Sequence, residues 1–358
     1  EFYEAAVLKG DPKAKAWSLR KKSYGSGSEP VQIEKIRAEF QKVKAELSKL
    51  AEQGDREAEY ISAVTSLILD PEIGATREMQ NLQARANDGD PRAIRNLGIL
   101  YEEGRVVSPD IQKAFACYQK AAEAGSSWSM NYLARCYRDG RGIPKDPAKA
   151  FSLFEKSALT GNEDGQGEAG WMLREGVGTP KNPSESARWL TQAVGRGHAG
   201  AMEHLGWNYE QGLGVPTDYA KAFQYYQQSA ESGNASAMAQ VGRCLWNGVG
   251  TTKNRKEAFA WFHKAATSGS PRGLCWLGYC YDTGQEAPRD ALQARDAYQK
   301  AAEQGDLSAI EWMGSFHEKG RGGVKDLREA ARWYEKGAER ENLNCLLGLL
   351  RATWPRSK

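Results

Sequence analysis

The sequence holds little from which a reactive centre could be assembled. Six cysteines and four histidines are spread over 358 residues. Cysteines at that density do not make the disulfide framework that staples small secreted domains. Cys136, Cys244 and Cys280 recur at one place in a repeated pattern. Cys244 and Cys280 would then sit on equivalent helices of adjacent repeats, about 8–10 Å apart, beyond the roughly 7 Å Cα limit for a bridge. Free thiols are expected. No CxxC pair occurs, and His198, His204, His263 and His317 are scattered, so neither a metal nor a cofactor is expected. No run approaches the roughly 18 apolar residues that span a bilayer, and no membrane insertion is expected. Lysine and arginine number 49 against 46 acidic residues. This balance is too even for a phosphate-tracking surface, and nucleic acid is not an expected partner. The chain opens on Glu1-Phe2 rather than methionine, which leaves processing or design of that end open. Compartment and oligomeric state are not read from these features.

What is present is repetition. Gly89, Gly125, Gly161, Gly197, Gly233, Gly269 and Gly305 follow one another in steps of 36. A second glycine column runs Gly104, Gly140, Gly176, Gly212, Gly248, Gly284 and Gly320. An Asp/Asn column runs Asp110, Asp146, Asn182, Asp218, Asn254, Asp290 and Asp326. Seven units over residues 90–341 follow, and a fixed period means one stacked body rather than separate domains.

Within a unit, Ile94, Leu97, Gly98 and Tyr101 mark the buried stripe of a first helix. A glycine or alanine recurs inside that helix, at Gly98, Ala134, Gly170, Gly206, Gly242, Gly278 and Gly314. Glycine within a helix costs about 1 kcal/mol relative to alanine, so its recurrence predicts close approach of a neighbouring helix. The mid-repeat glycine suits a left-handed helix end, and Asp146 and Asp218 are placed to cap the next helix. A second stripe, Ala114, Phe115, Tyr118, Ala121 and Ala122, then has to be covered by neighbouring repeats.

The phrase LGWNYEQGLGVPTDYAKAFQYYQQSAESG, Leu205 to Gly233, resembles the Sel1-like repeat family, whose helix pairs are related to tetratricopeptide repeats. The resemblance implies an all-α fold, a right-handed α/α superhelical solenoid with first helices lining a concave face. It also implies adaptor work on other proteins and no catalysis by the repeat. Some bacterial proteins resembling the family are immunity partners of secreted toxins, which stands as an alternative within the binding class. Residues 1–89 are expected to be degenerate repeats, with Trp17 in a first helix, a flexible loop near residues 24–30 and a polar helix from Val31 to Gln53. Residues 342–358 are expected to form a C-terminal capping helix, with its outer side left apolar or used as a dimer contact.

No P-loop, HExxH or nucleophile elbow is present, and the GxG loops recur as turns between helices. An enzyme would need Glu168, His204 and Arg243 to converge in the groove. The stronger signal is on the outward side of the first helix, at the places equivalent to residues 92, 96, 99 and 103. Seven aromatics, Trp128, Tyr132, Trp171, Trp207, Trp276, Tyr279 and Trp312, fill seven of the 21 places in the first three of these columns, a third, against 10% aromatics in the whole chain. Arg135 and Arg243 share the column of Trp171, Trp207 and Tyr279, His204 lies one turn before Trp207, and Trp246 lies at the margin. Aromatics and arginine are the residue types richest in binding energy at interfaces, so these eleven are the candidate partner-binding residues. The competing reading is that the rings cover one another across adjacent helices. Trp189, Trp261 and Trp333 are expected to be structural.

Overall fold

The computed structural model of the protein describes residues 42–43, 45–49, 73–104 and 107–353. Trp17, the loop at residues 24–30, most of the polar helix expected before Gln53, and Trp354 lie outside the described residues. Among those described, every regular element is a helix. An opening helix α1 (Ile73–Asn87) precedes seven pairs. The first helices are α2 (Pro91–Glu103), α4 (Ser127–Asp139), α6 (Glu163–Glu175), α8 (Ala199–Gln211), α10 (Ala235–Asn247), α12 (Pro271–Thr283) and α14 (Leu307–Lys319). Their second helices are α3 (Ile111–Glu123), α5 (Pro147–Leu159), α7 (Pro183–Val194), α9 (Tyr219–Glu231), α11 (Arg255–Thr267), α13 (Ala291–Glu303) and α15 (Leu327–Ala338). A last helix, α16 (Leu343–Thr353), stands where an eighth first helix would. The chain divides into two compact units, Glu1–Gly165 and Gln166–Lys358, and the described residues of each carry such pairs.

The repeated residues set the helix ends. Gly104, Gly140, Gly212, Gly248, Gly284 and Gly320 all close first helices in the left-handed conformation. In the Asp/Asn column, the Asp146 carboxylate accepts the Lys149 N–H at 3.0 Å and Asp218 accepts the Lys221 N–H at 2.9 Å. Each satisfies a donor that the first turn leaves orphaned. The second glycine of each GxG turn has its own task. Gly214 lies directly against the Pro183 carbonyl and Gly250 against that of Tyr219, so each loop seats on the start of the preceding second helix. Glu286 takes this column in the sixth pair and still adopts a left-handed φ of 65°.

The glycine inside the first helix is where the two helices of a pair meet. A methyl at Gly98 would come within 2.6 Å of the Tyr118 ring, at Gly242 within 2.5 Å of Phe262, and at Gly278 within 2.8 Å of Tyr298. The ring of the second helix therefore lies on bare backbone. Tyr118, Phe154, Tyr226, Phe262, Tyr298 and Tyr334 are all fully buried at this place, and Leu190 holds it in the third pair. Trp189 and Trp333 are buried as expected, and Trp261 is half-buried under the Lys264 ammonium.

Candidate partner-binding surface

The surface formed by the first helices is built on that buried ring. In the column of residue 96, the Tyr132 ring stacks on Tyr118 at 4.9 Å and 20°. Trp276 stacks on Phe262 at 4.8 Å and 3°, and Trp312 on Tyr298 at 5.7 Å and 16°. Each ring thus covers the second helix of the preceding pair. These three side chains are half-buried where the sequence had them facing outward. The solenoid advances by one helix pair per 36 residues, which brings the first helix of each pair over the ring of the pair before it. Ring against ring is the favourable way to cover that face.

Trp246 is buried, only 5% exposed, among Phe262, Trp276 and Tyr279. Tyr279 is half-buried and lies edge-on to Trp276 at 5.8 Å. Both arginines are engaged within the chain. Arg135 pairs with Asp164 at 3.3 Å and lies 5.8 Å from the Tyr132 ring, while Arg243 pairs with Glu210 at 2.6 Å and bonds Gln240 at 2.8 Å. Trp128 is the open one, 41% exposed at the start of α4. Trp171 and Trp207 are half-buried at the same place on α6 and α8. No ring stacks on Trp207 among the described residues.

His204, one turn before Trp207, shares the column of Tyr132, Trp276 and Trp312 and is half-buried. Its backbone carbonyl accepts a bond from Arg174 at 3.3 Å. Burial, followed by the nearby charge of Arg174 and then His198, holds its pKa down to about 3. The imidazole is therefore neutral throughout the physiological range.

One set of residues on this surface escaped the sequence reading. The Tyr118 hydroxyl donates to Glu102 at 2.6 Å, Tyr226 to Glu210 at 2.8 Å and Tyr334 to Glu318 at 2.8 Å. In each case the acid precedes the tyrosine by 16 residues. Burial, reinforced by the adjacent carboxylate, raises these phenols, Tyr334 to about 12. Where the ring is phenylalanine the acid is gone: Arg138 lies over Phe154, and Trp246 packs on Phe262. Two of these carboxylates are in turn held by arginines of the following repeat, Arg141 on Glu102 and Arg243 on Glu210, and Arg321 likewise holds Asp282, which stands 16 residues before Tyr298 without accepting its hydroxyl. The signal was legible as a carboxylate 16 residues before each tyrosine of one column.

The six cysteines are all unbonded, and burial raises the Cys136 and Cys244 thiols to about 11. Among the described residues no cluster of His, Cys, Asp and Glu has the makings of a metal site. None of their helices is long and apolar enough to cross a membrane.

Comparison with known proteins fixes the lineage of these pairs. The model of the Sel1 repeat matches residues 91–126, 129–162, 164–198, 199–234, 235–270, 271–306 and 307–342. The chain belongs to the Sel1 repeat family. A Sel1 repeat protein from Oxalobacter formigenes is 31% identical, with a TM-score of 0.58 over 69% of this chain and 99% of that one. A protective antigen of uropathogenic Escherichia coli strains, displaying the same repeat fold, is 31% identical, with a TM-score of 0.54 over 77% of this chain. The match spans 60% of the length of that antigen. The immunity protein PA5088 of Pseudomonas aeruginosa, 23% identical, matches 60% of this chain and 83% of its own with a TM-score of 0.44, a likeness of fold alone. No curated protein matches the sequence. The Sel1 repeat fold is a protein-interaction scaffold and is generally non-catalytic, and this chain is an all-α solenoid of that kind.

Proposed function

We propose that this Sel1 repeat protein is a non-catalytic scaffold that holds a partner protein against its first helices, with Trp171 and Trp207 as the anchors. The observation that carries the reading is the pair itself. Two indoles hold the same column of consecutive repeats within the unit Gln166–Lys358, and each keeps part of its surface in water. Elsewhere in that unit, at Trp246, Trp276, Tyr279 and Trp312, rings cover other rings. Large, stiff, part-exposed aromatics give the most contact area for the fewest frozen rotors. Neutral His204 beside Trp207 adds a planar surface without a charge that burial would penalise. In the unit Glu1–Gly165, exposed Trp128 is the corresponding candidate.

Catalysis through Glu168, His204 and Arg243 is the weaker reading. An imidazole that protonates only near pH 3 is a poor base at neutral pH, and Arg243 is committed to Glu210. Affinity capture with the intact chain and with Trp171→Ala and Trp207→Ala side by side tests the proposal. Each variant should weaken the captured partner's binding by more than about 1 kcal/mol. Full affinity in both removes the assignment, and hydrolase turnover lost on His204→Ala would replace it with the enzyme.

A further inference from the structure

The acid, phenol and arginine of Glu210, Tyr226 and Arg243 return three repeats later as Glu318, Tyr334 and Arg351. The two sets agree at the phenol. Tyr226 donates to Glu210 and Tyr334 to Glu318, both at 2.8 Å. They differ at the arginine. Arg243 closes on Glu210 at 2.6 Å with its side chain 22% exposed, whereas the Arg351 Nε stands 3.7 Å from Glu318, beyond hydrogen-bond reach, with its side chain 62% exposed. Two replacements in matching columns leave the second set open. Gln240, whose side-chain oxygen accepts the Arg243 Nε at 2.8 Å, gives way to Gly348, and Trp207 gives way to Ser315. Where the earlier set has side chains, the later one has a cavity of about 440 Å³, bounded by α14, α16 and Tyr334 of α15.

The cavity is polarised along its length. Residues pair across it in order, Glu311 with Asn344 and Glu318 with Arg351, so α14 and α16 run parallel and the two acids stand about 10 Å apart along α14. At the first end the Asn344 amide already donates to Glu311, at 3.1 Å. At the second end donors wait for an acceptor. Lys319 lines the cavity, is exposed and pairs with no acid among the described residues. Ser315 accepts from Arg321 at 3.1 Å, which leaves its own hydroxyl hydrogen to donate. Arg351 is the third. Against these two cations stands Glu318 alone, with its Oε2 taken by Tyr334, so this end carries a surplus positive charge. Between the ends lie the Trp312 ring and Leu347. We propose that the cavity binds a carboxylate carried on an apolar body, the carboxylate held by Ser315, Lys319 and Arg351 and the body resting on Trp312 and Leu347. Charge-assisted bonds to a carboxylate are the strong kind. The volume lies at the small end of the ~300–1,000 Å³ of ligand pockets, which suits an acid about the size of one or two residues. The end of a protein chain and a free aliphatic acid share this chemistry. The site does not depend on what Trp171 and Trp207 bind.

Saturation-transfer NMR on the full chain tests this with three probes: N-acetyl-leucine, its uncharged amide and hexanoate. N-acetyl-leucine should bind in the millimolar range expected of so small a ligand, and the amide at least about tenfold more weakly. Lys319→Gln and Arg351→Gln, both at exposed positions, should each weaken the acid about tenfold. Ser315→Trp, which restores the residue of the earlier set, should block the cavity. The glutamine variants still decide the matter if Ser315→Trp fails to fold. Hexanoate binding as tightly as N-acetyl-leucine assigns the site to free acids, and a preference for N-acetyl-leucine, with its peptide group, assigns it to chain ends. Equal binding of acid and amide, binding indifferent to both glutamine variants, or no binding of either acid overturns the proposal.

Discussion

Replacing Trp276 with alanine should destabilise the fold more than replacing Trp207, although both are half-buried on the first-helix surface. Trp276 lies flat on Phe262, 4.8 Å away and 3° from parallel, and edge-on to Tyr279. Phe262 itself is fully buried. A tryptophan buries up to about 250 Å², so covering half of it contributes about 3 kcal/mol at ~25 cal/mol/Å². The stacked ring contact adds about 0.5–1.5 kcal/mol. Trp276→Ala should therefore cost about 3.5–4.5 kcal/mol and uncover Phe262, whereas Trp207→Ala, half-buried as well but with no ring stacked on it, should cost about 3 kcal/mol. Urea unfolding followed by circular dichroism measures both, and fluorescence at two wavelengths shows whether the repeats melt together, since stacked repeats need not be two-state. Equal losses of stability for the two variants would refute the division of this surface into rings that hold the stack and rings left for a partner.

Three further outcomes follow from other parts of the structure. Tyr226→Phe removes a bond to a carboxylate and should cost about 1–2 kcal/mol, while Tyr298→Phe should be near neutral, because no protein acceptor reaches the Tyr298 hydroxyl, as thermal melts will show. Glu286→Gly should raise stability by about 1 kcal/mol in urea titration by relieving a left-handed φ of 65° that glycine adopts without strain. The caps Asp110, Asp146, Asp290 and Asp326 have carboxyls held below their ordinary value of 3.8, chiefly by backbone N–H donors. Depressed acids contribute stability that is fully present above the unfolded value and lost as pH falls through the folded one, so the urea midpoint should hold down to about pH 4 and then drop. An unchanged midpoint at pH 2 to 3 would contradict the caps.

The fold could be read from the sequence because 36-residue columns superpose seven weak local signals into a strong one. Gly98 and its equivalents announced a close helix crossing, and the rings of Tyr118, Phe262 and Tyr298 occupy it. The candidate surface was less legible. Helical periodicity assigns a face within one helix and knows nothing of the next repeat. Tyr132, Trp276 and Trp312 therefore read as outward although each is overlaid on a ring 14 residues earlier in the chain. Arg135 and Arg243 read as available for the same reason, since their acids, Asp164 and Glu210, lie 29 and 33 residues away. Trp171 and Trp207, read as outward, are half-buried in the structure.

The arginines that reach back to Glu102, Glu210 and Asp282 constrain how such a chain can change by duplication. A constant step means that a whole repeat can be inserted or lost without shifting the helical register. The ion pairs do not share that freedom, because in each the acid belongs to one repeat and the base to the next, as with Glu210 in 199–234 and Arg243 in 235–270. Excising either repeat at its glycine boundary leaves a half-buried charge facing a stranger, and copying one alone presents the same mismatch at a new seam. Length is therefore easy to alter in this molecule while order is not, and viable descendants should carry such neighbours together, as a two-repeat cassette.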